Sequence, residues 1–485
     1  MNAPVPVSRL IPVGESPVLA VDLDGTLVKT DLLVECVIGL LKQRPWCAFL
    51  LPIWLLKGTA YLKQQVAQRG SLDVTTLPYR TELLDYLIMR RDQGARIVLA
   101  TAADARLAGQ IAAHLRVFDS VLASDGVTNL GGRNKRDRLV REFGEKGFDY
   151  AANSRHDLPV WAAGRRAIVI GSPGRLPSGV NRVVQVDRVF DDGAPGWRDY
   201  VVPLRPEHWL KNLLIFVPLL AAHRLDDSAS LLKLVLAFVA FGCAASSGYL
   251  MNDLLDLAAD RHHPVKRLRP FAAGKLPLSY ALIMIPALLS IAGLLGASVS
   301  GLFLGALAAY FGLSATYSLY IKRIVILDVI FLAGLYTMRL LAGSAAVRIW
   351  PSHWLLALST FLFLSLALVK RYGELAMMKR IDGDDAKARA YEIADGELLA
   401  AMGIASGYLA VLVLALYINS EKAQVLYGRY QLIWLLCPLF LYWISDMWLV
   451  AHRGKMSDDP LYFAVKDRTS RVLILLMFAV CVLAL

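Results

Sequence analysis

Asn252-Asp-Leu-Leu-Asp-Leu-Ala-Ala-Asp-Arg-His-His-Pro-Val-Lys-Arg-Leu-Arg-Pro270 begins where an apolar run of membrane-spanning length ends, and its reading decides that of the whole chain. On a helix Asp253, Asp256 and Asp260 fall at i, i+3 and i+7 and share one face, with Asn252 a turn before Asp256 on nearly the same side. Carboxylates crowded on one face repel each other unless a cation sits among them. Hard oxygens suit Mg²⁺, which keeps several waters and completes its shell with substrate phosphates. Lys266, Arg267 and Arg269 would then meet the remaining negative charge of a diphosphate. The plain alternative is a solvated loop of mixed charge between two membrane helices. Regular acidic spacing, the stops at Pro264 and Pro270 and the place at a membrane boundary weigh against it.

Around this stretch the chain changes physical class. Its 485 residues are 56% hydrophobic and only 19% charged, which points to burial in lipid and not to one large soluble core. Up to about residue 205 polar and apolar residues mix as in a globular protein; beyond it, long apolar runs alternate with short basic loops. The reading is two domains, 1–200 and 201–485. A formal charge of +12 raises the question of nucleic acid, but no basic patch interleaved with aromatics is present, and the positive-inside bias of a membrane protein accounts for the charge. Cys36, Cys47, Cys243, Cys437 and Cys481 are far apart and form no CxxC pair, which supports neither a zinc site nor a disulfide framework. Residues 1–17 lack the basic start and apolar core of a signal peptide, so the N-terminal part is expected in the cytoplasm.

Nine apolar segments, centred near 216, 241, 288, 310, 336, 361, 408, 441 and 478, predict an all-α polytopic domain of nine transmembrane helices. The loops 252–276, 320–323, 370–396 and 452–471 hold 18 Lys and Arg, whereas the loops on the other side hold four, Arg224, Arg348, Lys422 and Arg429. That asymmetry predicts an integral inner-membrane protein with the acidic motif and the N-terminal domain on the cytoplasmic side.

Nine spans with Asn252-Asp-x-x-Asp-x-x-x-Asp260 after the second resemble the UbiA superfamily of intramembrane prenyltransferases over roughly residues 205–485. Among its branches the chain looks most similar to the decaprenyl-phosphate phosphoribosyltransferase type. The residues that carry this likeness are Lys211-Asn212, His263 to Pro270, Tyr317-Ser318 with Lys322 and Asp328, Arg339 with Gly343, and Lys370-Arg-Tyr-Gly-Glu374. Where aromatic prenyltransferases carry a second Asp-rich motif, this chain has Lys370-Arg371-Tyr372, and only later Asp382, Asp384 and Asp385, which lie farther from the membrane end than such a motif requires. The resemblance implies Mg²⁺ held by Asn252, Asp256 and Asp260, with Asp253 in the same catalytic group, and phosphates bound by Lys211, Lys266, Arg269, Tyr317, Lys322, Arg339, Lys370 and Arg371. Arg339 and Asp328 lie in or at the edge of an apolar span, where ionisable groups are costly and mark a site or pathway.

In the N-terminal part, Pro17-Val-Leu-Ala-Val21 reads as a buried strand running into Asp22-Leu-Asp-Gly-Thr-Leu27, with Gly25 allowing a tight turn. This resembles the first motif of the haloacid dehalogenase (HAD) phosphatase superfamily, a Rossmann-like α/β fold with a helical cap. The likeness implies that Asp22 is a nucleophile, Asp24 a general acid/base, and that both help to hold Mg²⁺. Thr101, ending the strand Arg96–Ala102, matches the second motif, and Lys135 the third. In the fourth, Asn153 stands where the family has a metal-binding Asp, while Asp157 is retained, so the metal is expected to bind more weakly. Trp46-Cys-Ala-Phe-Leu-Leu-Pro-Ile-Trp-Leu-Leu56, apolar but interrupted by Pro52 and shorter than a span, reads as part of a helical cap resting on the membrane surface.

The resulting expectation is transfer of 5-phosphoribosyl from phosphoribosyl diphosphate to a polyprenyl phosphate in the bilayer, with the HAD-like domain removing the 5-phosphate of the product. The alternatives are transfer of a polyprenyl group from its diphosphate to an aromatic acceptor, and a non-enzymatic transporter or lipid-binding scaffold. Acceptor length and oligomeric state are left open.

Overall fold

The computed structural model describes residues 18–171, 178–191, 193, 195–382, 387–388, 391–456 and 459–485. Residues 1–17, Asp384, Asp385 and the side chain of Asp382 lie outside what is described. The chain divides into two compact units. One takes in the chain up to Pro203 together with Asp253–Leu282, and the other Leu204–Asn252 with Ile283–Leu485.

The first unit is built on six parallel strands, β1 (Val18–Val21), β2 (Arg96–Asp104), β3 (Ser120–Ser124), β4 (Phe148–Ala152), β5 (Arg166–Ile170) and β6 (Gln185–Phe190), in the order β3-β2-β1-β4-β5-β6. The short apolar runs form strands because both faces are covered. Leu19, Val21, Ile97 and Leu99 pack into one apolar layer, while Ala20, Val98 and Ala100 pack with Phe148 and Tyr150 into the other. Strand order reverses between β1 and β4, the place where open parallel sheets bind ligands beyond the carboxyl ends of their strands. Asp22 leaves β1 there, its amide donating to the Ala151 carbonyl of β4 at 2.9 Å.

Between β1 and β2 the chain forms a helical insertion. Leu32–Gln43 is capped at its start by Asp31, whose carboxylate accepts from the Val34 amide at 3.0 Å. Pro45–Phe49, Leu50–Leu56 and Thr59–Arg69 follow as short helical pieces. Trp46, Phe49 and Leu56 are 61%, 81% and 89% exposed, an apolar surface left uncovered among the described residues.

In the second unit the expected count of nine spans is corrected. Seven helices among the described residues are long and apolar enough to cross a membrane: Ser228–Leu255, Leu278–Val299, Gly301–Arg323, Leu327–Val347, His353–Lys379, Ile393–Ile418 and Tyr430–His452. The first two of these helices include residues of the first unit, Asp253–Leu255 and Leu278–Leu282. The stretch near 216 instead forms 3₁₀ turns over Pro206–Phe216 and a short helix over Val217–Ala221, with Pro206 and Pro218 denying it a continuous backbone ladder. The last segment, Arg468–Ala484, is a helix of 17 residues. Phe363, Leu366, Trp443, Ile444 and Trp448 are among the buried residues that pack the helices together.

The motif itself also differs from expectation. The Ser228–Leu255 helix stops before Asp256, whose backbone (φ −103°, ψ 10°) breaks the spiral ahead of a separate short helix, Leu257–His262. The motif carboxylates therefore do not lie along one unbroken helix face.

Candidate functional site

In the first unit each carboxylate of the motif meets a cation of the same unit. Asp253 and Asp260 are buried and share Arg269, whose guanidinium lies 3.3 Å from Asp253 and 2.6 Å from Asp260. Asp256 lies 3.3 Å from the Lys42 ammonium, which also donates to the Leu255 carbonyl at the end of the long helix. Arg261 forms a buried two-pronged pair with Glu35, at 2.9 and 2.6 Å, and donates to the Ala272 carbonyl at 3.2 Å. Lys266 stands half-buried in a 3₁₀ turn, its amide donating to His263 Nδ1 at 3.3 Å. Among the described residues no group of three or more His, Cys, Asp or Glu is gathered for a metal. The helix break at Asp256 means that the carboxylates are not presented by one continuous helix. The donor set is all hard oxygen balanced by side-chain cations, and that chemistry fits Mg²⁺.

The second unit gathers its own cationic cluster. Asn252 accepts from Lys322 at 3.3 Å. Lys211 and Lys370 converge on Asp459, at 2.7 and 3.8 Å, and the Tyr336 hydroxyl donates to the same carboxylate at 2.6 Å. Burial pushes the Asp459 carboxyl up, but the two lysines outweigh it and hold it well below the usual carboxylate range. Arg339, buried, donates to Asn212 Oδ1 at 3.0 Å, to the Tyr310 hydroxyl at 2.9 Å and to the Leu335 carbonyl at 2.6 Å. The Nδ2 of Asn212 is buried with no hydrogen-bond partner among the described residues. Arg371, read from the sequence as a phosphate ligand, is buried among acidic partners. Its guanidinium is bound by Asp328 and Glu374 and donates to the Tyr317 hydroxyl at 2.7 Å, while Asp328 also accepts from Tyr391. Arg371 is thus held between two carboxylates, with Tyr317 beside it.

A third group lies at the carboxyl ends of β1 and β4. The Lys135 ammonium, buried on the helix Gly132–Phe143, is 2.7 Å from Asp22, 2.9 Å from the Tyr150 hydroxyl and 3.7 Å from Asp157. Tyr150 donates to Asp157 at 3.0 Å, and Ser154 donates to Asp157 through its hydroxyl at 2.7 Å. Burial pushes Asp22 up against the pull of Lys135. Burial, with Asp31 adding to it, pushes the Asp24 carboxyl up to about 7, although the Leu32 amide donates to it at 2.9 Å. Thr101 is buried on β2, its hydroxyl accepting from the Ala103 amide at 3.0 Å. Asn153 accepts from the Thr26 hydroxyl at 3.4 Å, and its Nδ2 lies 2.3 Å from where a Cβ on Gly25 would stand. Gly25, at φ +70°, is thus required both by its backbone and by the Asn153 side chain. Asp22, Asp24 and Asn153 form a hard-oxygen set that also fits Mg²⁺.

Four residues of these groups carried no signal by spacing: Lys42, Glu35, Tyr150 and Asp459. Asp459 precedes Pro460 after the basic turn at Arg453 and Lys455, and an acid beside a membrane end was the one clue available.

Residues 213–466 match the model of the UbiA prenyltransferase family. An uncharacterized protein, y4nM, of Sinorhizobium fredii is 34% identical over 456 residues, covering 93% of this chain and 88% of that protein. The nodulation protein NoeC of Azorhizobium caulinodans is 38% identical over 276 residues, 57% of this chain and 90% of NoeC. The decaprenyl-phosphate phosphoribosyltransferase of Corynebacterium glutamicum is 35% identical over 181 residues, which are 36% of this chain and 54% of that enzyme.

Proposed function

Since the chain belongs to the UbiA prenyltransferase family, we propose that it moves 5-phosphoribosyl from phosphoribosyl diphosphate onto the phosphate of a polyprenyl phosphate, releasing diphosphate. The observation that carries this reading is the cationic cluster of the helical unit, the buried Lys211 and Arg339 with the half-buried Lys370, beside the Asn212 Nδ2 that has no partner among the described residues. A prenyl diphosphate and an aromatic acceptor present one diphosphate to be held; phosphoribosyl diphosphate and a lipid phosphate present a diphosphate and two monophosphates. Likeness to a decaprenyl-phosphate phosphoribosyltransferase over about half of that enzyme's length supports the same choice.

In the reaction the bond from ribose C1 to the diphosphate oxygen breaks, its electron pair leaving on that oxygen, and an oxygen of the lipid phosphate forms the new bond to C1. Mg²⁺ held by Asn252, Asp253, Asp256 and Asp260 would take up charge on the departing diphosphate. Lys266, Arg269 and Lys322 stabilise the same developing charge, as cations aimed at a leaving group do. Lys211, Lys370 and Arg339 bind the remaining phosphates. Arg371, held by Asp328 and Glu374, positions Tyr317. The excess of Lys and Arg in one set of loops supports a cytoplasmic side for this chemistry, and the exposed Trp46, Phe49 and Leu56 suit contact with a membrane surface.

The domain ahead of it is read as a HAD-like phosphatase that removes the 5-phosphate from the product. Asp22 attacks phosphorus, Lys135 and Thr101 hold the phosphoryl oxygens, and Asp24, with its carboxyl near 7, gives a proton to the leaving alkoxide and takes one from the hydrolytic water. Asn153 and Asp157 complete its metal set. Purified protein with radiolabelled phosphoribosyl diphosphate, polyprenyl phosphate and Mg²⁺ should yield a labelled lipid. Turnover of a prenyl diphosphate with an aromatic acid and no labelled lipid would reverse the assignment.

A further inference from the structure

Asp256 of the acidic motif is paired with a lysine that precedes it by 214 positions, and Arg261 with a glutamate 226 positions before it. Asp253–Leu282 belongs to the same compact unit as the N-terminal sheet, and two of the charged contacts it makes there come from one helix, Leu32–Gln43. Glu35 and Arg261 grip each other through two hydrogen bonds with both side chains buried, which orients the loop. Two turns further along the same helix, Lys42 lies 3.3 Å from Asp256 and donates to the Leu255 carbonyl. That carbonyl is one of the orphan acceptors at the end of the Ser228–Leu255 helix, so Lys42 satisfies the helix end and neutralises the next carboxylate at once.

Resting on the transferase reading, we infer that Lys42 is a positioning residue of the membrane motif. The N-terminal domain supplies the cation that keeps Asp256 oriented while no dication is bound, and a divalent ion must share or displace it. The N-terminal domain thereby sets the metal affinity of the transferase motif independently of any phosphatase chemistry of its own. The two side chains are 28% and 18% exposed, so the pair is in the class of partly solvated ion pairs. A competing cation of that strength raises the apparent dissociation constant of a divalent ion by about twofold to fivefold. A purely structural lysine would not tighten metal binding when it is removed, and that sign is the signature.

The test is Mn²⁺ binding to the full-length protein in nanodiscs, followed by the loss of the free-ion electron paramagnetic resonance signal, with and without inorganic pyrophosphate. An Asp22→Asn, Asp24→Asn background removes the second candidate metal set. In that background Lys42→Gln should bind Mn²⁺ about twofold to fivefold more tightly. Lys42→Arg, which keeps the charge, should match the parent, and Glu35→Gln, which loosens the helix from Arg261, should move towards Lys42→Gln. Equal affinities for the parent and Lys42→Gln, or weaker binding by Lys42→Gln, overturn this inference alone. A parent that takes up no Mn²⁺ with or without pyrophosphate overturns the transferase reading and this inference together.

Discussion

The Lys211 ammonium lies 2.7 Å from the Asp459 carboxylate although 248 positions separate them in the chain. The pair is buried, and Lys370 at 3.8 Å and the Tyr336 hydroxyl at 2.6 Å complete the shell of the carboxylate. Two lysines in one low-dielectric pocket are tolerable because a single buried anion holds both, and a substrate phosphate arriving there would find cations already oriented.

Replacing that anion should therefore be costly. Asp459→Asn leaves Lys211 and Lys370 without their counter-charge and should destabilise the protein by about 3–5 kcal/mol, the usual cost of stranding a buried partner. Lys211→Met in the same background should recover part of the loss. Melting in detergent reads both variants, and a double variant no more stable than Asp459→Asn would mean that the two residues do not act as a pair.

The sheet site separates the two proposed activities. Asp22→Asn removes the nucleophile that Lys135 holds at 2.7 Å, so phosphate release from a phosphoribosyl lipid should fall by several orders of magnitude while formation of the labelled lipid continues. Loss of lipid labelling in this variant would contradict the two-step scheme. Asn153→Asp adds the missing carboxylate and should lower the Mg²⁺ concentration that half-saturates phosphate release.

Asp24 gives the site a pH signature. Its carboxyl, ordinarily near 3.8, is pushed up to about 7 chiefly by burial. A group that holds its proton more tightly when folded contributes stability below its ordinary value and loses it as pH rises through the folded one. Metal-free protein should therefore lose stability between about pH 4 and pH 7, by no more than about 1.4 kcal/mol per pH unit for one proton. Asp24→Asn should flatten that part of the curve. Parallel curves for the two proteins, measured by thermal melting without metal, would remove Asp24 from the account.

The parts of this organisation that were legible in the sequence are those written by local chemistry. Val18–Val21 running into Asp22 declared a buried strand with carboxylates at its end, and β2 declared itself by an apolar run of the right length, whereas Lys135, on a polar helix, was placed only by its likeness to a motif lysine. Asp22, Lys135 and Asp157 then meet because strand order, not spacing, brings β1 beside β4. What stayed hidden depends on distant partners. Asp256 could not be seen to break its helix, because the lysine that takes up the Leu255 carbonyl lies at position 42. The segment near 216 has the hydropathy of a span, but Lys211, Asn212 and two prolines turn it into 3₁₀ coils that face a polar cluster. Spacing also did not show that Arg371, read as a phosphate ligand, pairs with Asp328 from an adjoining helix and with Glu374 from the next turn.

Gly343 offers the sharpest packing test. It lies on the helix Leu327–Val347, one turn beyond Arg339, where that helix presses against the turns of Pro206–Phe216. A Cβ there would stand 2.0 Å from the Ile215 carbonyl oxygen and 2.8 Å from its carbon, both backbone atoms that cannot swing aside. Gly343→Ala must push the two segments apart, separating Arg339 from Asn212, and should cost about 1–3 kcal/mol together with most of the lipid-labelling activity. Gly334, on the same helix, is exposed with nothing within 4 Å of its would-be Cβ. There the gain in backbone order has no opposing clash, so Gly334→Ala should leave activity unchanged and raise stability by about 0.5–1 kcal/mol. If melting and labelling rank the two variants the other way, the close approach at Ile215 is not what sets the place of Arg339.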